Sequence, residues 1–107
     1  MMSEPMKVES VARCQSSVVL THEGGLHARP SIKVTQLAKR FESKVWIGLS
    51  EDGPWIDAKS IARVMAMKTP IMTTLYFAAE GGDADEAVRA LATLVESDFT
   101  DMHNNGQ

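Results

Sequence analysis

A chain of 107 residues, 44% of them apolar, supports one small domain with a single core and is too short for several. Its formal net charge of −3 argues against a general nucleic-acid binder, and no apolar run is long enough to cross a bilayer. The lone cysteine, Cys14, cannot close an internal disulfide, and no spaced Cys/His set marks a zinc site, so a cytoplasmic setting with no metal and no cofactor is expected.

Residues 1–15 mix polarity without a period and are interrupted by Glu4, Pro5, Lys7, Glu9 and Arg13. This predicts a flexible extension without a signal-peptide core. The domain is expected over 16–99, with 100–107 as a polar tail. Ser16 to Thr21, carrying Val18-Val19-Leu20, predicts the first strand.

Next comes Gly24-Gly25-Leu26-His27-Ala28-Arg29-Pro30, a glycine pair followed at once by a helical period. Pro30, Val34, Leu37, Ala38 and Phe41 share one side, while Lys33, Gln36 and Arg40 fill the other. His27 therefore falls at the N-cap of the first helix or beside it. The first N–H groups of a helix lack internal partners and carry partial positive charge, so the amides of Ala28 and Arg29 form an anion cradle. Pro30 fits because the first turn does not need its missing N–H. Arg29 adds a planar fork suited to phosphate oxygens.

Val45, Ile47 and Leu49 alternate with Lys44, Trp46 and Gly48, which predicts a half-buried second strand. Ser50 to Pro54 is a turn by composition, and Trp55-Ile56-Asp57 predicts a short third strand. Ser60 precedes Ile61, Val64 and Met65, a stripe at i, i+3 and i+4 that predicts a second helix capped by Ser60. Thr74 to Ala79 predicts the fourth strand. Asp83 followed by Glu86 predicts a capping-box start for a last helix with Ala87, Val88, Leu91, Leu94 and Val95 on one face, ending near Phe99. Strands and helices in this order suit a small sheet with its helices on one face, an α+β unit.

Three stretches in order carry a family resemblance. Gly25-Leu26-His27-Ala28-Arg29-Pro30 resembles the active-site signature of HPr, the histidine-containing phosphocarrier of the bacterial phosphoenolpyruvate-dependent phosphotransferase system. Asp57 to Met65 resembles the start of that family's second helix, and Ala79 to Ala87 its last strand-to-helix turn. The resemblance implies an open-faced β-sandwich, a four-stranded antiparallel sheet in the order 1-4-2-3 with three helices on one face. It also implies a carrier, not an enzyme in its own right: His27 takes phosphate from phosphorylated Enzyme I at Nδ1 and passes it to EIIA components, with Arg29 steadying the group in transit.

The same resemblance implicates Ile32, Ile61, Ala62 and Met65 in partner docking, and makes Ser60 the counterpart of a serine that a dedicated HPr kinase phosphorylates in some relatives. Two alternatives stay open. One is a nitrogen-related regulatory branch of the family; the other is a noncovalent module whose helix start binds a partner's carboxylate or phosphate. By composition alone His27 is an ordinary capping or surface histidine and Arg29 a solvated cation, so the covalent role comes from the family pattern. His22, Glu23 and His27 lack the spacing and further ligands of a metal site. Glycines common in the family are replaced here by Lys68 and Met72, and a small polar residue common before the signature is replaced by Gly24.

Overall fold

The computed structural model describes residues 13–100. Its sheet is built outward from β4 (Thr74–Glu80), where Leu75, Phe77 and Ala79 alternate inward as a period of two requires. β1 (Arg13–Val19) pairs antiparallel on one side of it, setting Val18 opposite Leu75, Ser16 opposite Phe77 and Cys14 opposite Ala79. On the other side β2 (Lys44–Gly48) sets Ile47 opposite Phe77 and Val45 opposite Ala79. Directly paired residues share a face, so these side chains form one apolar floor. β3 (Ile56–Asp57) adds a two-residue edge beside β2, completing the order β1-β4-β2-β3.

Three helices cover that floor: α1 (Ala28–Ala38), α2 (Ile61–Ala66) and α3 (Ala84–Glu96). α3 packs across β1, β4 and β2, and α1 lies against α2 and α3. The face of α3 that the sequence predicts as apolar, Ala87, Val88, Leu91, Leu94 and Val95, is buried throughout. Full burial of each of its larger aliphatic side chains is worth about 1.5–3 kcal/mol. Phe77 is the largest fully buried side chain, and truncating it to Ala would cost about 3–5 kcal/mol. On the open face Arg13 stacks its guanidinium 5.7 Å from the Trp46 ring and reaches Glu80 at 3.4 Å. Trp55 lies over Gly48, where an added Cβ would sit 3.1 Å from its ring.

Three expectations change. β1 starts at Arg13, not Ser16, because β4 runs on to Glu80 and offers partners to Arg13, Cys14 and Gln15. The expected extension therefore loses 13–15 to the sheet; its remainder and the tail after Thr100 lie outside the described residues. The second helix forms where the stripe predicts it, with Val64 buried and Ile61 and Met65 37% and 41% exposed. Asp83 stands at the N-cap of α3 but makes no side-chain capping bond, since its carboxylate is taken by Glu42 and Ser43 across the fold. Finally α3 ends at Glu96; Asp98 and Phe99 follow with φ of 61° and 64°, and the Phe99 amide still donates to the Leu94 carbonyl at 2.8 Å.

Candidate functional site

The loop from β1 to α1 is pinned before it reaches His27. Leu26 is 1% exposed and its amide donates to the Thr69 carbonyl at 2.8 Å, so the residue before His27 is an anchor. Gly25, with φ +77°, passes so close to Thr69 and Pro70 that a Cβ there would collide with the Thr69 carbonyl. Anchoring Leu26 inward turns His27 outward. Its side chain is exposed, at the N-cap position that the sequence predicts, with backbone angles of −97° and −159°.

Although His27 occupies the cap position, its imidazole makes no capping bond and its carbonyl accepts the Ser31 amide at 3.0 Å. The ring is thus free for another task. An added Cβ at Gly24 would lie 3.0 Å from the ring's Cδ2 and 3.2 Å from its Nε2. The Cδ2–Nε2 edge therefore rests on Gly24, and the Nδ1–Cε1 edge faces the other way. Gly24 itself has φ +90°, a conformation in which side chains are strained.

After His27, α1 opens with the amides of Ala28 and Arg29, which donate to no backbone or side-chain acceptor among the described residues. Pro30 has no N–H, and the helix ladder begins only with the Ser31 amide. Two orphan donors and the positive end of an 11-residue helix thus come directly after His27 in the chain. Ala28 and Arg29 are both exposed. Beside His27 an open cleft of about 360 Å³ is lined by Gly24, Ala28, Met65, Lys68, Thr69 and Pro70 among others.

The sequence-predicted residues divide by place. His27, Ala28 and Arg29 share the helix start, and Met65 reaches the same cleft from α2. Ile32 and Ile61 are 43% and 37% exposed, and Ala62 is exposed as well. Ser60 caps α2, its hydroxyl accepting the Arg63 amide at 3.3 Å. Of the basic residues on α1, Lys33 is half-buried and bound to the Phe99 carbonyl at 2.8 Å, which leaves Arg29 exposed on the helix and Lys39 and Arg40 exposed just past its end.

Two neighbours of His27 were noticed in the sequence but given no role at the site. Lys68 lines the cleft from the turn after α2, held at φ +49°. The replaced family glycine was its signal, since glycine is the residue that adopts such angles freely. The other is His22, whose ring centroid is 5.5 Å from that of His27 and whose Nδ1 is 2.6 Å from an Asp98 carboxylate oxygen. A separation of 76 residues between those partners left no local pattern to read.

Comparison with known proteins gives a consistent answer. A family model described as "PTS HPr component phosphorylation site" matches residues 14–97. The chain is 40% identical over 85 residues to a phosphocarrier protein HPr of Cupriavidus necator, covering 79% of this chain and 93% of that one. It is 36% identical over 74 residues to an HPr-like protein Crh of Halalkalibacterium halodurans, covering 69% and 86% respectively. Among solved structures, HPr-C-His from Thermoanaerobacter tengcongensis superposes with a TM-score of 0.73 at 34% identity, covering 80% of this chain and 94% of that one. The HPr of Bacillus anthracis gives 0.70 at 36% identity, covering 78% and 98%. With that match to the family model, that identity and that sheet order, the chain belongs to the HPr family of phosphocarrier proteins of the phosphotransferase system.

Proposed function

We propose that His27 is the residue that carries the phosphoryl group, taking it at Nδ1 from phosphorylated Enzyme I and yielding it to EIIA domains in the cytoplasm. The observation that carries this reading is the exposed N-cap imidazole, free of any capping bond, followed directly in the chain by the unpaired amides of Ala28 and Arg29. Its Nδ1 edge is the one turned from Gly24, which agrees with attack from that nitrogen.

In-line transfer needs an open approach to the nucleophile and charge compensation for the equatorial oxygens of the moving group. The amides supply fixed donors that do not reorganise, and the exposed guanidinium of Arg29 supplies a mobile one. A carrier must not bind its cargo too deeply, because uniform stabilisation of the intermediate slows its release. A surface site with two amides and one flexible arginine suits that requirement.

Docking is assigned to the exposed apolar side chains Ile32, Ile61, Ala62 and Met65, which lie on α1 and α2. Ser60, at the head of α2, is the proposed regulatory phosphorylation site for an HPr kinase; a dianion there would repel an acidic partner from the same surface.

The test is incubation with Enzyme I and phosphoenolpyruvate, followed by detection of acid-labile, alkali-stable phosphate. The wild type should take up one equivalent, His27→Ala none, and Arg29→Ala should transfer about tenfold or more slowly with unchanged thermal stability. Label retained in His27→Ala would refute the assignment. Binding of the acceptor without any phosphate uptake would favour the noncovalent module instead.

A further inference from the structure

A second imidazole stands beside the proposed carrier histidine, and nothing in the relay described above uses it. His22 lies in the loop after β1, its side chain 25% exposed, with its ring 5.5 Å from the His27 ring and tilted 40° to it. Asp98, just past the end of α3, places a carboxylate oxygen 2.6 Å from His22 Nδ1, and Phe99 meets the same ring edge-on at 5.3 Å. A carboxylate accepts only, so Nδ1 carries the hydrogen and Nε2 is where His22 gains or loses its proton.

The brace is built rather than casual. Asp98 and Phe99 both adopt positive φ, Phe99 is 3% exposed, and its carbonyl is held by the Lys33 ammonium at 2.8 Å. The turn after α3 is thereby fixed against α1, and His22 is fixed against the head of that helix. The groups facing His22 are the Asp98 carboxylate and Phe99 ring from the α3 end and the His27 ring from α1. Glu23, next along the loop, is exposed, and Lys33 is engaged with Phe99.

We propose that His22, oriented by Asp98, is the charge partner of the phosphoryl group on His27, binding a proton when the group arrives and releasing it when the group leaves. The proposal rests on the reading of His27 given above. As the bond from His27 to phosphorus forms, the donor's bond to phosphorus breaks; the proton that appears on His22 Nε2 comes from solvent and returns to it. A phosphoryl dianion bonded to the neighbouring ring lies within about one Debye length, roughly 8 Å at physiological ionic strength, and an anion so near favours imidazolium. Asp98 keeps that imidazolium in place, so His22 acts as a positioning residue whose charge depends on the load its neighbour carries.

A one-unit rise of an imidazole midpoint on phosphorylation favours the loaded form by up to about tenfold at pH below both midpoints and not at all well above them. The experiment follows the ring protons of His22 by NMR across pH in the wild-type chain, before and after phosphorylation. The phosphoryl group is supplied by Enzyme I with phosphoenolpyruvate and, independently of any partner, by phosphoramidate. The His22 midpoint should rise by about one pH unit in the loaded protein. In parallel, His22→Gln should lower the ratio of loaded to free protein at equilibrium by up to about tenfold at pH below the His22 midpoint read by NMR, with the difference gone well above the midpoint of the loaded form; a merely structural loss would not follow pH in that way. A loaded wild type with an unmoved His22 midpoint overturns this proposal alone. A wild type that takes no phosphate on His27 from either donor overturns both it and the relay.

Discussion

Asp83 holds Ser43 by two bonds at once, one carboxylate oxygen accepting both its backbone amide, at 3.0 Å, and its hydroxyl. The other oxygen accepts the Glu42 amide, also at 3.0 Å. The residue that begins α3 is therefore spent on closing the turn between α1 and β2. Hydrogen bonds from the Ser43 hydroxyl, and next from the Glu42 amide, hold its carboxyl below the ordinary 3.8. A depressed carboxylate favours the folded state wherever it is ionised in both states. Its contribution is complete above the unfolded value and is lost as the pH falls through the native one. Wild type should thus lose stability below about pH 4 in acid titration monitored by circular dichroism, and Asp83→Asn should show a shallower loss over the same range.

Gly25 predicts a sharp contrast between two glycines. At φ +77° and against the Thr69 carbonyl, Gly25→Ala meets both backbone strain and a collision, and should lose about 2–4 kcal/mol in urea denaturation. Gly82, whose added Cβ meets nothing within 4 Å, should accept Ala within about 0.5 kcal/mol. Equal effects at the two sites would mean that the loop before His27 is not held by this contact.

Met72 runs the other way. It sits at φ +71° and is 67% exposed, so its side chain contributes little packing while its backbone occupies a left-handed conformation. Replacing it with glycine removes a conformational cost of about 1–2 kcal/mol, part of which returns as added freedom in the unfolded chain. Met72→Gly should raise stability by about 0.5–1 kcal/mol in the same denaturation experiment.

Ile61→Asp should separate docking from folding. Ile61 opens α2 and is 37% exposed, and a carboxylate is compatible with a helix N-terminus. The thermal midpoint should stay within about 2 °C of wild type, while affinity for Enzyme I falls about tenfold or more. An unchanged dissociation constant in titration calorimetry would remove α2 from the docking surface.

Local rules go far with this chain, and their failures share a cause. The start of α1 was legible because glycines, a histidine and a first-turn proline fall in a row, and α3 because its apolar period runs unbroken. Asp83 with Glu86 obeys the capping pattern in sequence, yet its carboxylate is claimed by residues 40 and 41 positions away. The stripe of α2 has the spacing of the helix that forms, and a helix of six residues covers little floor and buries only Val64. The His22–Asp98 pair is closed by the fold alone. Burial, long-range acceptors and cross-loop pairs are tertiary facts that no window of neighbours contains.

The segment bearing His27 is stitched to a second loop, the one between α2 and β4, by three backbone bonds: Leu20 to Thr73, Met72 to Leu20, and Leu26 to Thr69. Where the imidazole stands is consequently a joint property of two connections that meet far from each other in the chain. Adding or deleting a single residue between Met67 and Thr74 would re-aim the ring without touching its own neighbours. A variant altered there could keep every signature residue and still miss its donor.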